Sequence, residues 1–169
     1  IMRENGICGA GGAGFPSYAK LNDKADTIIL NCAECEPLLR LHRQMLEEYS
    51  FEILTALDTV AEAVGADKII IAVKKSYKDA VASVEANLES FSKAEIKFLP
   101  EAYPSGDEIV TIYETTGKVV KPGNLPITEG IIVYNVETMY NTYNALNNIP
   151  VTEKYVTVTG AVKNPITIK

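Results

Sequence analysis

Tryptophan is absent from these 169 residues, histidine occurs once, and cysteine three times. So few cysteines, and an odd number of them, exclude a disulfide framework and fit a reducing compartment. A single His42 beside Cys32-x-x-Cys35 is too few ligands for a tetrahedral zinc site, so no metal ligand is assigned within this chain. Long apolar runs are also missing. The longest, such as Ile69-Ile70-Ile71-Ala72-Val73, falls far short of the roughly 20 residues of a membrane helix and reads as a buried strand. Positive charge is in the minority, 16 basic against 22 acidic residues for a net −6. With no basic patch, nucleic acid is excluded as a partner. No signal peptide is expected, and the opening Ile1 reads as the start of a piece of something longer. What is present is an ordinary globular balance, 47% apolar and 22% charged. The chain is long enough for one domain with its own core, without disulfides or metal.

Hydrophobic periodicity alternates between strand and helix. Strands are expected at 27–31, 68–73, 95–99 and 130–134. Between them lie helical patterns at 39–64, broken near Tyr49-Ser50 and stopped by Gly65, at 76–91, near 106–116 and at 137–147. Strand–helix alternation implies crossover units. The fold class is therefore α/β, three-layer, a mostly parallel sheet with helices on both faces. After Pro150 the pattern changes to β alternation over Tyr155–Gly160. The domains read as 1–150, an α/β unit, and 151–169, the truncated beginning of a β-rich one.

Four segments carry chemistry-bearing residues. Residues 6–14, GICGAGGAG, hold five glycines in nine positions. Bare backbone can approach a flat ring or a phosphate closely. Gly9, Gly11 and Gly14 satisfy G-x-G-x-x-G, but no strand precedes them and Pro16 follows at once, which rejects the ordinary dinucleotide fingerprint. A ligand cradle and a ligand-free tight turn both remain open, and Lys20 is either a phosphate ligand or a solvated charge. Asn31-Cys32-Ala33-Glu34-Cys35-Glu36-Pro37 closes the first strand, where open α/β sheets place their ligands. Its C-x-x-C raises a rival, a dithiol redox site, although Glu34 and Glu36 work against a reactive thiolate. His42 reads as an ordinary surface or core histidine. Tyr103-Pro104-Ser105-Gly106-Asp107-Glu108 follows the third strand, with Ser105 a candidate N-cap and Asp107 and Glu108 suited to a first helical turn. Asn135-Val136-Glu137-Thr138 follows the fourth. Polar residues thus gather at three strand ends beside a glycine loop.

Taken together, GAGGAGFPSYAKL, NCAECEP, YPSGDE, TGKVVKPGNLP and GIIVYNVET resemble the RnfC-like family, named for a subunit of the Rnf electron-transport complexes. That family is similar in turn to the flavoprotein subunit of respiratory complex I. Within it the chain looks most like the RnfC-like members associated with proline reductase. The resemblance covers nearly all of residues 1–160. It implies an FMN- and NADH-binding domain in which hydride passes to the flavin and electrons leave through 4Fe-4S clusters held in a later domain. It also implies that 151–169 begin a soluble-ligand-binding β-grasp (SLBB) region. Carried over, Gly9, Gly11, Gly12, Gly14 and Lys20 match positions around the flavin and its phosphate. Asn31 and Asn135 match flavin-contacting asparagines, and Phe15 and Glu36 match residues lining the nucleotide. Tyr103, Gly106, Asp107 and Glu108 match the loop between flavin and nucleotide, and Lys121 matches a lysine near the nucleotide. Glu108 and Glu36 would orient the nucleotide for hydride transfer. Other electron-transfer subunits or a reductase would be partners, with the protein cytoplasmic or at the cytoplasmic face of a membrane complex. Ala33 stands where the complex I flavoprotein has aspartate, Asp107 where it has glutamate, and Tyr134 where it has the first of two asparagines. The Ala33 departure keeps a second function open, a flavin-free docking or relay module.

Overall fold

In the computed structural model, which describes residues 1–12 and 14–169, four parallel strands form one sheet in the order β3-β2-β1-β4. They are β1 (Thr27–Asn31), β2 (Lys68–Lys74), β3 (Ala94–Leu99) and β4 (Ile131–Asn135). The helices are α1 (Leu41–Val64), α2 (Lys78–Asn87), α3 (Glu108–Thr116) and α4 (Val136–Leu146). Both faces of the sheet are covered, which is why the strands read as continuous apolar runs. One face packs Ile28, Leu30, Ile69, Ile71 and Ile132 against Ile53, Leu57, Val84 and Met139 of α1, α2 and α4. The other packs Ile29, Ile70, Ala72, Ile131 and Val133 against Ile112 of α3, with Leu99 and Val120. β3 is one of the two edges, and Glu95 pairs there with Lys68 and Lys97, charges that discourage further strand pairing.

Local expectations and structure agree in most places. α1 departs from helical geometry at Tyr49 (φ −127°, ψ 28°), where its ring packs on Tyr140 at 4.4 Å between centroids. Gly65 ends α1 in the left-handed region (φ 75°). One expectation is corrected. The N-cap of α3 is Asp107, whose Oδ1 accepts from the backbone N–H of Ile109 and Val110. Ser105 is instead buried, and its hydroxyl is directed back at the carbonyls of Pro100 and Ala102. A free carboxylate near the helix start outcompetes a hydroxyl already satisfied locally. Beyond α4, β5 (Val156–Val158) and β6 (Ile166–Ile168) form an antiparallel pair.

The strand order decides where a ligand can sit. From β1 the chain steps to β2 and β3 on one side, then returns through α3 to place β4 on the other side of β1. This reversal leaves a crevice beyond the carboxyl ends of β1 and β4, the usual ligand position in open α/β sheets. The two strands run in register, so their terminal residues Asn31 and Asn135 are partners.

Candidate functional site

The crevice is closed on one side by the glycine-rich segment. An isolated antiparallel bridge between Cys8 and Pro16 pinches its base, with Gly9 N–H bonded to the Phe15 carbonyl at 2.8 Å and Ser17 N–H to that of Ile7 at 3.0 Å. Ile7 and Ser17 are buried and anchor the excursion. The segment precedes β1 and leads into a 3-10 turn, Ser17–Lys20, which accounts for its mismatch with a strand–loop–helix fingerprint. The resulting cleft has a volume of about 400 Å³, within the usual range for small-molecule sites.

Most of the carried-over site residues line it: Gly9, Gly11, Gly12, Gly14, Phe15, Lys20, Asn31, Gly106, Glu108 and Asn135. Glu36 lies in an adjoining cavity that shares Gly11, Ala33, His42 and Gly106 with the cleft. Tyr103 and Asp107 line neither: the Tyr103 ring is 82% exposed, and Asp107 is spent on capping α3. Lys121 is exposed and also outside the cleft.

Two glycines are closely approached, Gly11 by a side chain and Gly106 by main chain as well. A Cβ on Gly11 would stand 2.7 Å from Asn135 Nδ2, and one on Gly106 would stand 2.8 Å from Cys35 Sγ and 3.1 Å from the Ala33 carbonyl oxygen. Gly106 is fixed from both sides, because Asn31 Nδ2 donates to its carbonyl at 2.8 Å and its N–H donates to Cys35 Sγ at 3.3 Å. Asn31 therefore shapes the cleft wall. Asn135 Oδ1 caps α4 by accepting from the N–H and hydroxyl of Thr138, and the amide end faces Gly11. Both α3 and α4 begin at this edge, so their N-terminal partial charges favour an anionic ligand. Lys20 adds a full charge. Its Nζ donates to the Val133 carbonyl at 2.7 Å, lies 3.4 Å from Glu108 Oε1 and sits 5.6 Å above the Tyr134 ring. Lys20 and Glu108 also border a second, largely apolar recess lined by Phe15, Leu125, Ile127 and Val133. Phe15, half exposed at 52%, is common to both hollows.

Several lining residues carry no functional signal in the linear pattern. Ser17, Tyr134 and Thr138 belong to the cleft. The spacing of Asn135 and Thr138, three apart at a helix start, is the capping signal by which that pair can be found. Glu34 has no such signal. Its side chain is 4% exposed, it pairs with Arg43 at 3.1 Å, and it accepts from the His42 N–H at 3.0 Å. It thereby caps α1, whose own N-cap residue Arg40 makes no side-chain cap. Lys154, beyond α4, pairs with the buried Glu137 and donates to the Ala10 carbonyl at 2.9 Å, while the Ala10 N–H donates to Thr138 Oγ1 at 3.0 Å. The glycine loop is thus clasped through Ala10 by the first turn of α4 and by a residue remote in sequence.

The cysteines do not make a dithiol centre. Cys32 is fully buried with its Sγ 3.6 Å from the Leu30 carbonyl. Burial, with Glu34 adding to it, pushes this thiol far above its usual pKa, the reverse of what a reactive thiolate needs. Cys35 serves as a hydrogen-bond acceptor for Gly106.

The His42 side chain lines both the cleft and the adjoining cavity, and its Nδ1 is buried without a hydrogen-bond partner among the described residues. Burial holds the imidazole below its ordinary 6.5, against the opposing pull of Glu34 and Glu137, while Lys154 adds to the lowering. An unfolded chain would protonate this residue near pH 6.5, whereas the folded state resists. Its contribution to stability is therefore complete above about pH 6.5 and declines as pH falls below it. We expect the urea midpoint to drop more between about pH 7.5 and 5.5 in the wild type than in His42→Asn. Equal drops would show that folding leaves the proton affinity of this residue unchanged.

Comparison with known proteins places this architecture. Residues 2–144 match the family described as the Nuo51 FMN-binding domain. The chain belongs to that family. It is 39% identical over 168 residues to "Cobalamin reductase PduS" of Citrobacter freundii, covering 99% of the chain and 37% of that relative. It is 34% identical over 170 residues to a subunit of the Na(+)-translocating ferredoxin:NAD(+) oxidoreductase complex of Acetobacterium woodii, covering 97% and 38%. The chain thus spans a little over a third of the length of these relatives. Among solved structures, the NAD+-reducing [NiFe]-hydrogenase in the H2-reduced state superposes with a TM-score of 0.85 at 26% identity, covering 98% of this chain and 35% of that one. The family membership and this likeness bear out the expected α/β fold and an FMN-binding domain of the complex I flavoprotein type. No described helix is long and apolar enough to cross a membrane.

The residues present fit FMN. Gly106 leaves no room for a methyl group on the cleft wall, and Gly11 is closely approached by Asn135, an ammonium stands in the cleft beside two helix starts, and a buried imidazole nitrogen lacks a partner among the described residues. Such an enclosure suits a flat heteroaromatic ring with a phosphate tail.

Proposed function

We propose that this domain takes hydride from NADH onto FMN held in the cleft and passes the electrons on to iron–sulfur clusters in a later part of a longer protein. The observation that carries this reading is the convergence at one switch point of the glycine loop, the paired strand-end asparagines and the Lys20–Glu108 pair, in a chain of the Nuo51 FMN-binding family. When bound, FMN supplies the conversion of a two-electron hydride donor into single-electron steps. The chain supplies position and field. Gly11, Gly12 and Gly106 let the ring lie against main chain, and Lys20 meets the phosphate as a charge-assisted donor. Phe15, common to the cleft and the apolar recess, offers a face for stacking the nucleotide. Glu108 in the cleft and Glu36 in the adjoining cavity fix the nucleotide's orientation. No group of the site needs to act as a general acid or base for hydride transfer itself. The β5–β6 pair begins an SLBB-type region, and the acceptor is another electron-transfer protein of the same complex or a reductase. The protein works in the cytoplasm or at the cytoplasmic face of a membrane complex.

The test uses Glu108→Gln and Glu36→Gln. Each is expected to retain its flavin, read from the visible absorption, and to raise the KM for NADH about tenfold, a loss of about 1.4 kcal/mol. Unchanged NADH kinetics in both variants would remove the carboxylates from the mechanism. A colourless protein that takes up no added FMN would point instead to the docking module that the Ala33 departure leaves open.

A further inference from the structure

His42 has been given no part in the proposed reaction. It sits in the first turn of α1 and lines both the flavin cleft and the cavity behind it. Its Nδ1 is enclosed by protein and unpaired among the described residues. A buried polar atom without a partner costs about 1–3 kcal/mol, so its retention in an otherwise well-bonded site calls for a function. Two buried carboxylates act on the imidazole through their charge, Glu34 from the segment after β1, which also accepts from the His42 backbone N–H, and Glu137 from α4. Their side chains are 4% and 3% exposed. Each already holds one cation, Arg43 and Lys154 respectively. The cluster is therefore close to neutral while the imidazole is uncharged, and the N-terminal turn of α1 favours that uncharged form. A single added negative charge nearby would tip the balance toward an imidazolium, in the same direction as the charges of Glu34 and Glu137.

The reaction proposed for this cleft delivers such a charge. Hydride is one proton with two electrons, so each turnover leaves the cleft one unit more negative, while NADH leaves as NAD+. We propose that His42 is a charge-compensating positioning residue: its imidazole takes one proton from water when the cleft receives hydride and returns it when the electrons depart. No bond to His42 other than N–H forms or breaks; water supplies its proton, and when the two electrons depart water takes back that proton and also the one that arrived as hydride. This inference rests on the FMN reading above and deepens it by adding a proton that travels with the electron pair.

The experiment is a redox titration of the bound flavin in the FMN-loaded protein from about pH 5.5 to 8.5, with NADH left out. His42→Asn, which keeps a polar atom near the Nδ1 position, and His42→Gln are compared with the wild type. The expected result is that the wild type takes up one more proton per two electrons than either variant, seen as a steeper fall of midpoint potential with pH around neutrality. In both variants the extra slope disappears, while FMN remains bound. A purely structural histidine would alter flavin affinity or stability without changing the proton count. Equal pH slopes in wild type and in a flavin-loaded variant would overturn the inference and leave the FMN reading intact. Failure of the wild type to bind FMN would overturn both.

Discussion

Replacing Gly106 by alanine is expected to lower the affinity for FMN about a hundredfold, or about 2.7 kcal/mol. The added methyl would meet Cys35 Sγ at 2.8 Å, the Ala33 carbonyl oxygen at 3.1 Å and the Ala33 Cβ at 3.3 Å. The sulfur is a single side-chain atom, but the carbonyl belongs to the backbone leading out of β1 and has little room to yield. The strain is relieved most easily by displacing the loop that Gly106 shares with Asp107 and Glu108. That would break the Asn31-to-Gly106 and Gly106-to-Cys35 hydrogen bonds and carry Glu108 away from Lys20. Fluorescence-quenching titration with FMN measures the loss. Removing the sulfur with Cys35→Ala should recover part of the affinity in the double variant, because only the main-chain contact then remains. Wild-type affinity in Gly106→Ala, with an unchanged melting temperature, would show that the loop accommodates the methyl and that Gly106 does not shape the site.

The second large effect is expected at Lys154. Its Nζ holds two ends of the site together, the carboxylate of Glu137 and the carbonyl of Ala10. Glu137 is 3% exposed and loses this cation in Lys154→Met. Breaking a fully buried pair costs about 3–5 kcal/mol. Lys154 itself is half exposed, so solvent screens part of this, and about 2 kcal/mol is expected. For a domain of this size that corresponds to a fall in melting temperature of roughly 4–8 °C. The freed Ala10 carbonyl should also loosen the glycine loop, so FMN should bind more weakly than stability alone accounts for. The double variant Lys154→Met/Glu137→Gln removes the unpaired charge and should regain most of the stability but not the affinity. If Lys154→Met melts like the wild type, the clasp between the segment after α4 and the glycine loop contributes nothing.

These two residues illustrate what can be read in the linear chain. Gly106 is legible. A glycine between a strand end and a helix start, within Tyr103–Glu108, marks a close approach whichever partner lies opposite. Asn31 and Asn135 are legible for the same reason, since each closes an apolar run and the carboxyl end of a strand is where ligands gather. Lys154 carries no signal at all. It sits in a polar stretch after Pro150, and nothing local marks a partner 17 residues upstream in Glu137 or 144 upstream in Ala10. His42 reads as an ordinary histidine because its own surroundings in sequence, Leu41 and Arg43, describe only one helix. Its unpaired nitrogen arises from packing among three separate segments. Ser105 shows the opposite error, a good local cap candidate whose hydroxyl finds nearer carbonyls, leaving the role to Asp107.

The sequence by itself determined the elements and their class. Apolar runs of strand length, helical spacing between them and glycines at the stops are local properties, and burial on both faces of a parallel sheet follows from them. It also determined which residue types stand at the strand ends. Only the tertiary structure decided that β4 lies on the far side of β1 from β2. That single crossing sets Asn31 beside Asn135, opens the crevice under the glycine loop, and brings Lys20 onto Glu108. Strand order is chosen by how whole faces pack, which is a balance over many distant contacts. No window of sequence short enough to read contains that balance.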